Sequence, residues 1–140
     1  MAGLTNQQKQ LVQQTFGSVA DESLTISRKF YDRFFEREPM ARAMFQPDMS
    51  LQQQKFFQMI GMLIAALNDE SQLTSMLHDL GKLHARYGVT QEQFNLGEEI
   101  LLGAFGESLE DRFTPDVKDA WQAAYRFIVQ LTTDIPEYDD

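Results

Sequence analysis

Leu80-Gly81-Lys82-Leu83-His84-Ala85-Arg86-Tyr87-Gly88-Val89 is the stretch on which the reading of this chain turns. Leu77, Leu80 and His84 recur at helical spacing and share one face of a helix that also carries Leu73 and Met76. His84 stands near the end of that helix, with Gly88 and Val89 just beyond it. His78, six residues before His84, points elsewhere and is expected to be solvated. These are the two histidines of the chain. A lone histidine on an apolar face is more often a hydrogen-bonded core residue than a ligand, so the rest of the sequence has to decide its role.

Outward from His84 the chain is helical from end to end, because apolar residues recur at helical spacing and no stretch alternates convincingly with period two. Thr5 with Gln8, Ser50 with Gln53, and Thr90 with Gln93 each fit a capping box, in which a hydroxyl and an amide satisfy orphan backbone N–H groups reciprocally. Asp21 with Glu22 marks a further start, and so does Thr114 before Pro115, where the missing proline N–H costs nothing. Helices are predicted near 5–19, 21–36, 50–68, 71–85, 90–109 and 114–135, with a short helical turn after Pro39. In the second, Ile26, Phe30 and Phe34 form one stripe and Tyr31 with Phe35 the next. In the third, Phe56, Ile60, Leu63 and Leu67 line one side, flanked by Met59 and Ala66; in the last, Val117, Trp121, Ile128 and Leu131 point inward. Taken alone, each stripe is core packing.

Composition narrows the chemistry. With 140 residues, 43% hydrophobic, 8 glycines and 4 prolines, the chain reads as one domain with room to enclose a sizeable ligand. Zero cysteines exclude a disulfide scaffold, thiolate metal sites and a cysteine nucleophile. A net charge of −9 repels phosphate backbones and anionic lipid, so no nucleic-acid partner is expected. No HExxH, GxSxG, GxGxxG or P-loop pattern occurs, which removes support for hydrolase and nucleotide-binding readings. Met1 to Leu11 hold no apolar run behind a basic cluster, and the longest apolar stretch, Met59 to Leu67, is about half of a membrane span. No membrane span and a cytoplasmic location are therefore the expectation, with residues 1–135 as the domain and Pro136 to Asp140 as an acidic tail.

The segment around His84 resembles the proximal segment of globins, where a histidine near a helix end is followed by a Gly-Val corner. Phe30-Tyr31 sits where bacterial globins often carry a distal tyrosine, and Met44-Phe45, after the turn opened by Pro39, resembles the phenylalanine that wedges against haem. Gln52 lies 32 residues before His84, matching the ungapped distal-to-proximal separation of neuroglobin-like and related bacterial globins. Trp121 and Tyr125 match the final helix. The order and spacing of Tyr31, Phe45, Gln52, His84 and Trp121, over about residues 5 to 135, identify the chain as similar to single-domain bacterial haem globins and to flavohaemoglobin-type globin domains.

That resemblance implies an all-α globin fold, a three-over-three helical sandwich around haem, and reversible binding of dioxygen as carrier or store. It assigns the iron ligand to His84 and the cofactor to b-type haem, held without covalent attachment since no cysteine is present. Tyr31 and Gln52 become donors to bound gas, whether dioxygen, carbon monoxide or nitric oxide. Phe45 and Phe56 would confine the porphyrin and the distal space, Val89 and Phe94 the proximal side, and Lys55 and Arg86 could pair with the propionates. Gapped alignments would move the distal residue to Gln54 or Lys55; Gln52 needs no gap. The flavohaemoglobin branch carries a reductase domain and a proximal tyrosine and glutamate, whereas here Phe94 takes the tyrosine's position and Pro136 aligns nearest the glutamate. A binding protein is thus expected ahead of an enzyme. Nitric-oxide dioxygenation with an external reductase and a haem-based gas or redox sensor stay open as alternatives.

Overall fold

Four of the six helices begin where a side chain reaches the unpaired N–H groups of the first turn. The computed structural model describes residues 3–133, and the expected tail 136–140 lies outside them. Its helices are α1 (Asn6–Ser18), α2 (Ser23–Arg37), α3 (Ser50–Ala65), α4 (Glu70–Arg86), α5 (Gln91–Leu109) and α6 (Pro115–Thr133). Short 3-10 turns cover Ala20–Glu22, Pro39–Met44, Ala66–Asn68 and Glu110–Arg112, and there is no strand among the described residues. The capping boxes at Thr5–Gln8 and Thr90–Gln93 both form, each with its two reciprocal bonds. Thr114 Oγ1 accepts from the Val117 N–H.

Three starts differ from expectation. The Ser50–Gln53 box does not form: the Asp48 carboxylate, a charged and therefore stronger acceptor, takes the Ser50 N–H at 3.0 Å, and Ser50 is already helical. Glu22 makes no side-chain cap, and a 3-10 turn delays α2 to Ser23. Helix α4 begins at Glu70, one residue early, because Asp69 caps it by accepting from the Gln72 N–H at 3.1 Å.

α1, α3 and α4 form one layer over α2, α5 and α6, and the core sits where α1, α3, α5 and α6 meet. Phe16 stacks on Phe57 at 4.9 Å and Phe105 on Trp121 at 4.2 Å, while the Trp121 indole N–H donates to Thr15 Oγ1 at 2.9 Å. The expected stripes of α3 and α6 pack against this core, and the structure adds deeper positions beside them. In α3 the deep positions are Phe57, Leu63 and Ile64, and Phe56 and Ile60 are only half-buried, because Phe57 is the ring that meets Phe16. In α6 Ala120, Ala124 and Thr132 are buried beside Val117 and Trp121, with Ile128 and Leu131 partly exposed; small residues let α6 approach α1 closely. Displacing Phe56 from the deep core turns it toward α2, where its ring stacks on Phe30 at 4.5 Å. α3 and α4 are joined through the turn 66–68, which both of them contact. No helix among the described residues is long and apolar enough to cross a membrane.

Candidate functional site

Gly88 sets the corner that follows His84. Its φ of +69° is the left-handed conformation that L side chains rarely adopt. With Gly88 there, the Val89 N–H donates to the His84 carbonyl at 3.2 Å and the Gly88 N–H to the Ala85 carbonyl at 3.1 Å, the paired bonds of a Schellman helix end. The imidazole is fixed as well: His84 Nδ1 lies 2.8 Å from the Leu80 carbonyl oxygen. A carbonyl only accepts, so Nδ1 carries the proton and Nε2 keeps its lone pair, the form in which a histidine ligates a metal. The Phe94 ring lies 5.8 Å from the imidazole at 32°. Phe94 is itself held from α6, by the Tyr125 hydroxyl donating to its carbonyl at 2.6 Å. Gly97 makes room for that hydroxyl, since a Cβ at 97 would stand 2.6 Å from it. Burial, then the charge of Glu98, push the Tyr125 phenol pKa up.

α2 and α3 build a second polar point inside an aromatic cage. Tyr31 is 6% exposed, and its ring meets Phe45 at 5.6 Å and Phe56 at 5.2 Å, both edge-on. Gln52 Nε2 donates to Tyr31 Oη at 2.9 Å. That bond uses an acceptor position of the hydroxyl, and the Tyr31 O–H meets no protein acceptor among the described residues. Burial raises the Tyr31 pKa, against a smaller opposing effect of the Gln52 bond, so the group stays a protonated donor at neutral pH.

The expected residues therefore gather into two sets. Tyr31, Phe45, Gln52 and Phe56 come together on α2, α3 and the turn between them, and His84, Val89 and Phe94 at the end of α4 and start of α5. Among the three consecutive glutamines, it is Gln52 that meets Tyr31; Gln54 and Lys55 are exposed, as is Arg86. His78 is half-buried rather than solvated and lines a surface cleft of about 570 Å³ on α4 with Glu70, Ser71, Thr74, Ser75 and Asp79. Sequence reading missed the Tyr125 bond to Phe94, which links residues 31 apart, and the Gln93 amide donating to Glu38 at 2.9 Å, which ties the start of α5 to the end of α2. No local pattern announces either contact.

Residues 28–131 match the family model for globins. The chain belongs to the globin family. This globin is 30% identical over 125 residues to a flavohemoprotein of Rhizobium meliloti, covering 87% of the chain and 31% of that protein, so it spans about a third of that relative's length. It is 27% identical over 135 residues to a leghemoglobin of Psophocarpus tetragonolobus, covering 89% and 92% of the two chains. Among solved structures, the engineered carbene transferase RmaNOD from Rhodothermus marinus, whose parent carries a provisional nitric oxide dioxygenase name, superposes with a TM-score of 0.81 at 27% identity, over 94% of this chain and 92% of that one.

The donor set fits the haem that globin membership implies. One imidazole has its proton held at Nδ1 and its lone pair free at Nε2, and one buried hydroxyl keeps an unengaged proton in an otherwise aromatic surrounding. No group of three or more His, Cys, Asp or Glu that could hold a bare metal ion exists among the described residues.

Proposed function

We propose that this globin binds dioxygen reversibly on a b-type haem ligated by His84, with Tyr31 as donor to the bound gas and Gln52 as the support that aims it. The observation carrying this reading is the bond from Gln52 Nε2–H to Tyr31 Oη, which leaves a buried phenol proton to donate where no protein group takes it. When bound, haem would supply the iron site for a diatomic gas. The chain does the rest. His84 offers Nε2, with the Leu80 carbonyl holding the ring through Nδ1. Phe45 and Phe56 exclude water from the distal side; Val89 and Phe94 do so on the proximal side. Lys55 and Arg86, both exposed, would pair with the propionates, an interaction weak enough at a surface to set orientation more than affinity. The absence of cysteine leaves no thioether attachment, which supports the b type.

The test is an absorption spectrum of the haem-loaded chain in ferric, ferrous and gas-bound forms, followed by an oxygen titration. An oxygenated spectrum that returns to the ferrous one when oxygen is withdrawn is the expected result. Failure to take up haem, or conversion to the ferric form on mixing with oxygen, would defeat the reading. Similarity to RmaNOD of Rhodothermus marinus supports a second reading, removal of nitric oxide with electrons from an external reductase. Phe94 beside His84 offers no hydroxyl to polarise the imidazole, which weighs against it. Rapid reductase-dependent loss of nitric oxide would favour this second activity.

A further inference from the structure

The corner between α2 and α3 presents Phe45 at the end of the 3-10 turn, extended at φ −119° and ψ 162°, with the last bond of that turn as its only backbone tie among the described residues. One residue closes that corner from both sides. The Arg42 carbonyl accepts from the Phe45 N–H at 3.2 Å, and the Arg42 guanidinium donates from Nη1 to the Gln46 carbonyl at 3.0 Å and from Nη2 to the Pro47 carbonyl at 2.8 Å. Both carbonyls follow Phe45 directly, so the backbone on each side of that ring is tied to Arg42. The guanidinium also lies 5.4 Å from the Phe35 ring centroid. Phe35 in turn meets Phe45 at 5.4 Å and Tyr31 at 5.8 Å.

We propose that Arg42 is the positioning residue of the site: it holds the corner 42–47 so that Phe45 stays against Tyr31 and the Tyr31 hydroxyl keeps its direction toward a haem ligand. The proposal rests on the dioxygen-binding reading of Tyr31. A planar fork with several N–H donors can span two successive carbonyls while its face lies on a ring, which an ammonium cannot do. Arg42 touches neither gas nor Tyr31 itself, so its effect passes through Phe35 and Phe45.

The experiment compares Arg42→Ala and Arg42→Lys with wild type, Arg37→Ala as a surface-arginine control, and Tyr31→Phe. Amide hydrogen exchange over residues 43–49 is measured with and without haem, and oxygen and carbon monoxide release are measured by stopped flow on the loaded chain. Loss of charge-assisted bonds to two carbonyls should speed exchange in 43–49 about tenfold or more in Arg42→Ala, with α5 and α6 unchanged. Oxygen release should rise about 3- to 10-fold while carbon monoxide release stays within about twofold, because a hydrogen bond matters most to the more polar ligand. Arg42→Lys should fall between, and Arg37→Ala should match wild type. If Arg42→Ala does not fold, Arg42→Lys carries the test with the same signs. Unchanged exchange over 43–49, or equal rises in oxygen and carbon monoxide release, would overturn the proposal. Oxygen release accelerated in Tyr31→Phe but unchanged in the Arg42 variants refutes Arg42's role alone; release unchanged in Tyr31→Phe refutes the distal-donor reading and Arg42's role with it.

Discussion

Tyr31→Phe removes one hydroxyl and keeps the ring that Phe45 and Phe56 pack against, so it separates the polar contribution from the steric one. Tyr31 is 6% exposed, and water cannot readily replace the lost donor. A hydrogen bond to a charged or strongly polarised acceptor contributes about 1.5–3 kcal/mol, which corresponds to roughly 10- to 150-fold in an equilibrium constant. Most of that should appear as faster oxygen release. Gln52 is expected to act through Tyr31, because one of its two Nε2 protons is donated to Tyr31 Oη. Gln52→Leu loses a neutral bond of about 0.5–1.5 kcal/mol, so oxygen release should quicken only about 2- to 10-fold. Since one residue works through the other, Tyr31→Phe with Gln52→Leu should release oxygen within about twofold of Tyr31→Phe alone. Stopped-flow displacement of oxygen and of carbon monoxide gives both rates on the same samples. If oxygen release in Tyr31→Phe stays within about twofold of wild type, the donor mechanism is wrong. If Gln52→Leu instead exceeds Tyr31→Phe, the amide and not the phenol faces the gas.

Three further outcomes are expected. His84→Ala should lose the imidazole-ligated haem spectrum and His78→Ala keep it; equal spectra in both, or loss only in the His78 variant, would overturn the ligand assignment. Gly97→Ala forces a Cβ to 2.6 Å from Tyr125 Oη and should cost about 1–3 kcal/mol of stability by chemical denaturation. Adding Tyr125→Phe removes the clashing atom, and a cost unchanged in that background would show that the hydroxyl is not what Gly97 accommodates. Burial raises the pKa of Tyr31 and Tyr125 above the ordinary phenol value of about 10. Above about pH 10 the unfolded chain releases phenol protons that the folded chain keeps, so the stability is complete below that pH and falls as pH rises through it. Denaturation midpoints from about pH 8 to about pH 11 should show the fall, and Tyr125→Phe should flatten it; a slope as steep in that variant would count against burial as the cause.

Much of the site was legible because its residues belong to patterns read within a few positions. Thr90 and Gln93 cap α5 through bonds three residues apart, and His84 precedes Gly88 and Val89 in a helix end whose bonds also stay local. Where the local signal misled, a neighbour with stronger chemistry intervened. Ser50 and Gln53 have the right spacing for a capping box, and the Asp48 carboxylate reaches the N–H first. Helical spacing put Phe56 on the apolar side of α3 and did not single out Phe57, which is the more buried ring because Phe16 on α1 supplies its stacking partner.

The sequence by itself determined the helical class, the capped starts of α1, α5 and α6, and the aromatic stripe of α2 that carries Tyr31. These follow from hydrogen bonds and periodicities that span four residues or fewer, and so survive in any packing of the chain. Only the tertiary structure decided which of three consecutive glutamines meets Tyr31, and that the amide donates to the phenol. It also decided that Tyr125 holds Phe94 from 31 residues away and that the Arg42 fork closes the corner around Phe45. Each of these is a distance of about 3 Å between groups whose separation no periodicity fixes, and which is set by how α2, α3, α5 and α6 pack and by the non-helical path between α2 and α3.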